Sequence, residues 1–205
     1  MGFVSYVTFM KHAQKIANSR TAKTRPILGG VLHKNGFVAA TDSHRLYITH
    51  DIYEGDEKVI DPKTGAIISG QFPEVTRLVP DVSDAKCSVT VDVNIASRGA
   101  KMIEQAGKLN KKSDFISISN PNKELLFSVD KDSDIDCSFF ADTDPHGEKI
   151  DILASAKYVS EAFAVFKDAG FDKCTFNYYG DIRPFTLTAG NFTALILPVR
   201  RKYLK

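Results

Sequence analysis

Cys87-Ser-Val-Thr-Val-Asp-Val93 alternates apolar and polar residues in the period of a half-buried strand. The next stretch, Asn94-Ile-Ala-Ser-Arg-Gly-Ala-Lys-Met-Ile-Glu-Gln-Ala-Gly-Lys-Leu-Asn110, switches to a helical period. Asn94 is expected to cap this helix, with Ile95, Met102, Ile103, Ala106 and Leu109 facing inward. Strand-like runs follow at 115–119, 125–129 and 135–140. The order strand, helix, strand, strand, strand decides the fold, because it recurs on both sides of this stretch.

Upstream, an apolar run at 3–7 leads into a helix at 8–20 that Thr8 can cap, with Phe9, Ala13, Ile16 and Ala17 on one face. Strands are expected at 27–32, 37–40 and 45–49, with Lys34-Asn35-Gly36 turning between the first two. Downstream, a strand at 149–153 precedes a helix at 155–169 whose stripe is Tyr158, Val159, Ala162, Phe163 and Phe166, ended by Gly170. Strands at 174–178, 185–189 and 192–199 complete the third copy. The fold class expected is α+β, built from three such units. Between the first two copies, residues 61–84 are rich in breakers, with Pro62, Gly65, Gly70, Pro73 and Pro80. That divides the chain into a half domain with its linker, 1–80, and a full domain, 81–205.

A chain of 205 residues is long enough to bury a real core. It has no run of 18 apolar residues and no basic, then apolar, N-terminal start, so a cytoplasmic protein without membrane contact is expected. Cys87, Cys137 and Cys174 are odd in number and widely spaced, which argues for reduced, mostly buried thiols rather than a zinc or redox site. No metal and no cofactor is expected.

A net charge of +2 does not by itself mark a nucleic-acid binder, but its distribution is uneven. Residues 8–25 hold Lys11, Lys15, Arg20, Lys23 and Arg25 with no acidic residue. In the second helix Arg98, Lys101, Gln105 and Lys108 share one face, extended by Lys111 and Lys112. Residues 113–151, mostly strands and turns, hold ten acidic against three basic residues. The third helix sets Lys157 and Lys167 against Glu161 and Asp168 and adds no net charge. Basic helices beside acidic sheets suit contact with a duplex backbone, and no aromatic residues interleave the basic faces as a single-strand groove would require.

Four strings carry a resemblance. Arg25-Pro26-Ile27-Leu28-Gly29-Gly30-Val31-Leu32 and Ala39-Ala40-Thr41-Asp42-Ser43-His44-Arg45-Leu46 resemble the middle domain of the bacterial sliding clamp, the beta subunit of the replicative DNA polymerase, where glycine commonly stands in place of Ser43. Gly70-Gln71-Phe72-Pro73-Glu74-Val75-Thr76-Arg77-Leu78-Val79-Pro80 is similar to the segment joining that family's middle and last domains. Ala194-Leu195-Ile196-Leu197-Pro198-Val199-Arg200 is similar to its C-terminal end. The resemblance implies a DNA-clamp fold, with helices lining a ring interior and antiparallel sheets outside.

It also implies a non-enzymatic processivity factor whose partners are double-stranded DNA and, through short linear peptides, a DNA polymerase and clamp loader. Lys11, Lys15, Arg20, Lys23, Arg98, Lys101, Lys108, Lys111 and Lys112 are then the expected DNA contacts. By motif, the peptide pocket is expected at Leu28, Thr41, His44, Arg45, Leu46, Pro73, Arg77, Leu78, Leu195, Leu197, Pro198, Val199 and Arg200. Known bacterial clamps have six units per chain and close as dimers. Three units per chain point instead to a homotetrameric ring of dihedral symmetry, and the small size to a phage or mobile element. A clamp-like decoy that captures clamp-binding peptides without encircling DNA is the alternative. Asp42, His44 and Asp51 lie close in sequence but lack metal-ligand spacing, a nucleophile elbow or a phosphate loop.

Overall fold

Ser5 opens the first helix. Its hydroxyl accepts from the Thr8 backbone N–H at 3.2 Å, so α1 spans Tyr6–Ala17 and starts ahead of the expected Thr8 cap. In this computed structural model, which describes residues 2–109, 114–121, 124–131, 135–143 and 146–200, the run at 3–7 forms no strand. The Phe3 N–H donates instead to the Ala169 carbonyl at 3.1 Å, and the Val4 N–H to Asn191 Oδ1 at 3.0 Å. A separate short helix, α2, spans Arg20–Thr24.

The strand expected at 27–32 is half replaced. Pro26, with fixed φ and no N–H, opens a 3-10 turn, Pro26–Gly29, and β1 begins only at Val31–Lys34. Gly30 is obligatory between them, because a Cβ there would stand 2.3 Å from Val59 Cγ1. β2 (Phe37–Thr41) and β3 (Arg45–His50) form as expected, and the sequence reading missed β4 (Lys58–Ile60).

The second copy comprises β5 (Cys87–Asp92), α3 (Val93–Leu109), β6 (Phe115–Ser119), β7 (Glu124–Val129) and β8 (Ser138–Thr143). The strand expected at 135–140 starts later, at Ser138; Ile135 and Cys137 pack partly buried against the core ahead of it, with the Cys137 carbonyl accepting the Val129 N–H at 2.9 Å. After the short β9 (His146–Gly147) come β10 (Asp151–Ser155), α4 (Ala156–Asp168), β11 (Lys173–Tyr178), β12 (Phe185–Ala189) and β13 (Phe192–Ile196).

These strands form two antiparallel sheets, ordered β4-β1-β2-β3-β13-β12-β11-β5-β9 and β10-β6-β7-β8. The second and third copies exchange their first strands: β5 pairs with β11 and β10 with β6. β3 pairs with β13, so the 1–80 segment shares one continuous sheet with the third copy. Alternation along β2 sends Val38 and Ala40 into the main core under α1, and Phe37 and Ala39 into a second cluster on the other face. Phe72 and Val75 fill that second cluster, so the breaker-rich linker is also the cover of the sheet's outer face.

α3 corrects the sequence reading most. Its buried face is Val93, Ala96, Gly99, Ala100, Ile103 and Ala106, small residues that let the helix lie close to the sheet, and a Cβ on Gly99 would meet the Phe139 ring at 2.3 Å. Ile95, Met102 and Leu109, expected inside, are exposed and share the outward surface with Arg98 and Gln105.

Candidate functional site

Leu46 on β3 and Leu195 on β13 are cross-strand partners, and they floor a cleft of about 180 Å³ at the seam between the two strands. Thr41, Ser43, His44, Arg45, Leu78, Pro184 and Leu197 complete its walls. β13 leaves the sheet after Ile196. The Leu197 N–H donates to the His44 carbonyl at 2.9 Å, and the Val199 N–H crosses to the Leu153 carbonyl at 2.7 Å, so Leu197 stands 38% exposed over the cleft.

The turn before β3 is held by Asp42, whose Oδ1 accepts the N–H groups of His44 and Arg45, each at 3.1 Å. Ser43 occupies a left-handed conformation, φ +70°, which explains why glycine suits this position. The Arg45 side chain does not enter the cleft. It is 2% exposed and runs inward to Asp42 at 3.1 Å, to Glu161 on α4, to the Lys15 carbonyl of α1 at 3.4 Å, and across the Tyr158 ring at 4.3 Å. Burial opposes the guanidinium charge, but Tyr47, Glu161 and Asp42 outweigh it, so the group stays protonated. The His44 ring also stacks against Tyr158, with ring centroids 6.5 Å apart.

Of the thirteen residues expected in the pocket, Thr41, His44, Arg45, Leu46, Leu78, Leu195 and Leu197 come together here. Leu28 and Pro73 line a separate cleft of about 260 Å³ with Arg25, Ile27, Gln71, Phe72 and Glu74. Arg77, Pro198, Val199 and Arg200 line neither. Pro184 was missed, since nothing in its local sequence separates it from an ordinary strand entry. Asp42 is used up structurally, and among the described residues no three His, Cys, Asp or Glu side chains converge as a metal-ligand set.

The expected DNA contacts distribute over a helical layer in which α3 packs on α4 and α4 on α1. Arg98, Lys101 and Lys167 line a groove of about 450 Å³ between α3 and α4, beside Ser97, Met102, Gln105, Ser160, Ala164 and Asp168. α4 contributes both Lys167 and Asp168 to this groove, in keeping with its balanced charge. Lys101 and Lys108 are both paired to the buried Glu104, at 2.9 and 2.6 Å. Burial raises that carboxyl's proton affinity, but hydrogen bonds from Lys108, Lys101 and Ser160 hold it below the usual carboxylate range. Lys11 pairs with Asp168 at 2.8 Å, and Lys15 is exposed on α1. Arg20 and Lys23 belong to α2, which lies against the Pro26–Gly29 turn, and Lys23 is exposed. Lys111 and Lys112 lie outside the described residues.

No family model and no curated protein matches this sequence. Solved structures do. The DNA polymerase III beta chain of Streptococcus pneumoniae superposes with a TM-score of 0.76 at 19% identity, over 98% of this chain and 64% of that one. The DNA polymerase sliding clamp of Bacillus subtilis gives 0.73 at 23% identity, over 95% and 62%. The Helicobacter pylori beta clamp bound to a DNA ligase peptide gives 0.74 at 15% identity, over 95% and 63%. The chain spans just under two thirds of the length of these structures. Its two exchanged sheets backed by a layer of helices are the fold of the bacterial DNA polymerase III beta clamps.

Proposed function

We propose that this chain is a subunit of a sliding clamp, a ring that encircles duplex DNA and tethers a polymerase and other replication proteins to it without catalysing a reaction itself. The observation that carries the reading is the apolar cleft floored by Leu46 and Leu195, in a fold shared with a beta clamp whose structure holds a DNA ligase peptide. Cleft and peptide suit one another physically: aliphatic walls take an apolar anchor, and polar edges at Thr41 and His44 orient its backbone. The helical layer supports the DNA contact, with Arg98, Lys101, Lys108, Lys167 and Lys15 exposed on it.

Four copies of this three-unit chain supply twelve units, and a consistent alternation of joints requires neighbours related by two-fold axes, hence a dihedral homotetramer. Light scattering should give the tetramer mass, and a stable dimer or trimer overturns that arrangement. Retention on nicked circular DNA, lost when the circle is cut, tests encirclement. Changing Lys15, Arg98 and Lys167 to Glu, with Lys101 and Lys108 left in place to hold the buried Glu104, should release the ring while leaving peptide binding intact. A protein that binds peptides but shows no topological retention is the decoy instead.

A further inference from the structure

Three of the segments around the cleft each place an arginine beside an apolar residue that lines it. Arg77 precedes Leu78, Arg183 precedes Pro184, and Arg200 follows Leu197 by three residues. All three arginines are exposed, and none makes an ion pair among the described residues. The carboxylates of the same surroundings are engaged. Asp42 and Glu161 hold Arg45. Glu74 Oε1 accepts from the Thr76 N–H at 3.2 Å and the Thr76 hydroxyl at 2.6 Å. Asp181 accepts from the Tyr178 hydroxyl. None of the three arginines lines the cleft itself, and Arg183 lies over the Tyr179 ring at 6.0 Å. Each sits within three residues of a wall residue, exposed and without a carboxylate partner among the described residues, while the nearby anions are satisfied. The volume of the cleft, about 180 Å³, is below the roughly 300–1,000 Å³ of small-molecule sites and suits side-chain anchors.

We infer that the cleft selects peptides in which an apolar anchor is flanked by carboxylate side chains, with Arg183, on the turn between β11 and β12, as a specificity residue. The inference rests on the peptide-binding reading proposed above. Charge complementarity at an exposed rim steers encounter and discriminates partners more than it adds affinity. Each exposed arginine–carboxylate pair then changes binding by roughly 1.5- to 5-fold, and the effect is screened by salt.

The test uses three short fluorescein-labelled peptides that share a central pair of leucines and carry Asp, Ser or Lys on both flanks, titrated by fluorescence polarisation at low and high salt. The expected order of affinity is Asp over Ser over Lys, converging as salt rises. Arg183→Ser is expected to narrow the Asp-to-Lys ratio while the Ser-flanked peptide binds unchanged. Leu197→Ser should weaken all three alike. Equal affinities for the three peptides, all lost in Leu197→Ser, overturn the charge selection and leave the cleft standing. If no peptide binds, or Leu197→Ser changes nothing, the peptide cleft itself falls and this inference with it.

Discussion

Arg45 Nη1 on β3 donates to Glu161 on α4, tying the floor of the cleft to the middle helix of the basic layer. The two residues are 116 positions apart, and the guanidinium between them is almost wholly out of water. Removing one partner of a buried charge pair leaves the other uncompensated, which costs about 3–5 kcal/mol. Glu161 is partly exposed and Asp42 remains, so Glu161→Gln is expected to cost less, about 2 kcal/mol, and Arg45→Met more, read as shifts in the urea midpoint. Equal stability of Glu161→Gln and wild type would show that the link adds nothing.

Leu195 and Leu197 lie two residues apart but have different roles. Leu195 is 4% exposed against Leu46, and Leu195→Ala is expected to destabilise the fold by about 2–4 kcal/mol in a denaturation titration. Leu197, outside the sheet, should tolerate Ser within about 0.5–1 kcal/mol while losing peptide binding. A Leu197→Ser protein that unfolds as readily as Leu195→Ala would mean that Leu197 serves the core.

At Ser43, φ is +70°, a conformation that costs a residue with a Cβ about 1 kcal/mol. Ser43→Gly is expected to raise the thermal midpoint, equivalent to about 0.5–1 kcal/mol, and Ser43→Val to lower it. A lower midpoint for the glycine variant would indicate that the Ser43 side chain makes a compensating contact.

His33 is buried, with Nδ1 on the Val31 carbonyl at 3.0 Å and Nε2 on the Tyr6 hydroxyl at 2.9 Å. Burial pushes its proton affinity below the ordinary value, the Val31 contact opposes this and Lys58 adds to it. With a depressed native value, the neutral ring's contribution is full above about pH 6.5 and is lost as pH falls below it. The urea midpoint should therefore decline between about pH 7 and pH 5, and His33→Gln should flatten that decline. An unchanged slope in the variant would assign the decline to other groups.

How much was legible depends on where each signal lives. β6 and β12 match their expected bounds and α4 its expected stripe, because the period-2 and period-3.6 alternation is written in the residue types themselves, even though Ser117 and Thr186 on the polar face of their strands are also buried. Within α3, Ile103 and Ala106 lie inside as expected, but the rest of the buried face is mostly Ala and Gly, which carry little apolar signal, whereas the larger Ile95, Met102 and Leu109 are exposed. The strand at 27–32 failed because the apolar letters of Ile27 and Leu28 are spent on a 3-10 turn that Pro26 imposes.

The sequence by itself determined the repeated unit and most of its helices and strands, which depend on local periodicity, and the resemblance carried by its motifs named seven of the residues that line the cleft. Only the tertiary structure decided that β3 and β13 adjoin, that Arg45 turns inward rather than into the cleft, that α4 lies between α1 and α3, and that Pro184 completes a wall. Those are contacts between segments far apart in the chain, chosen by which faces bury together, and no local pattern encodes them.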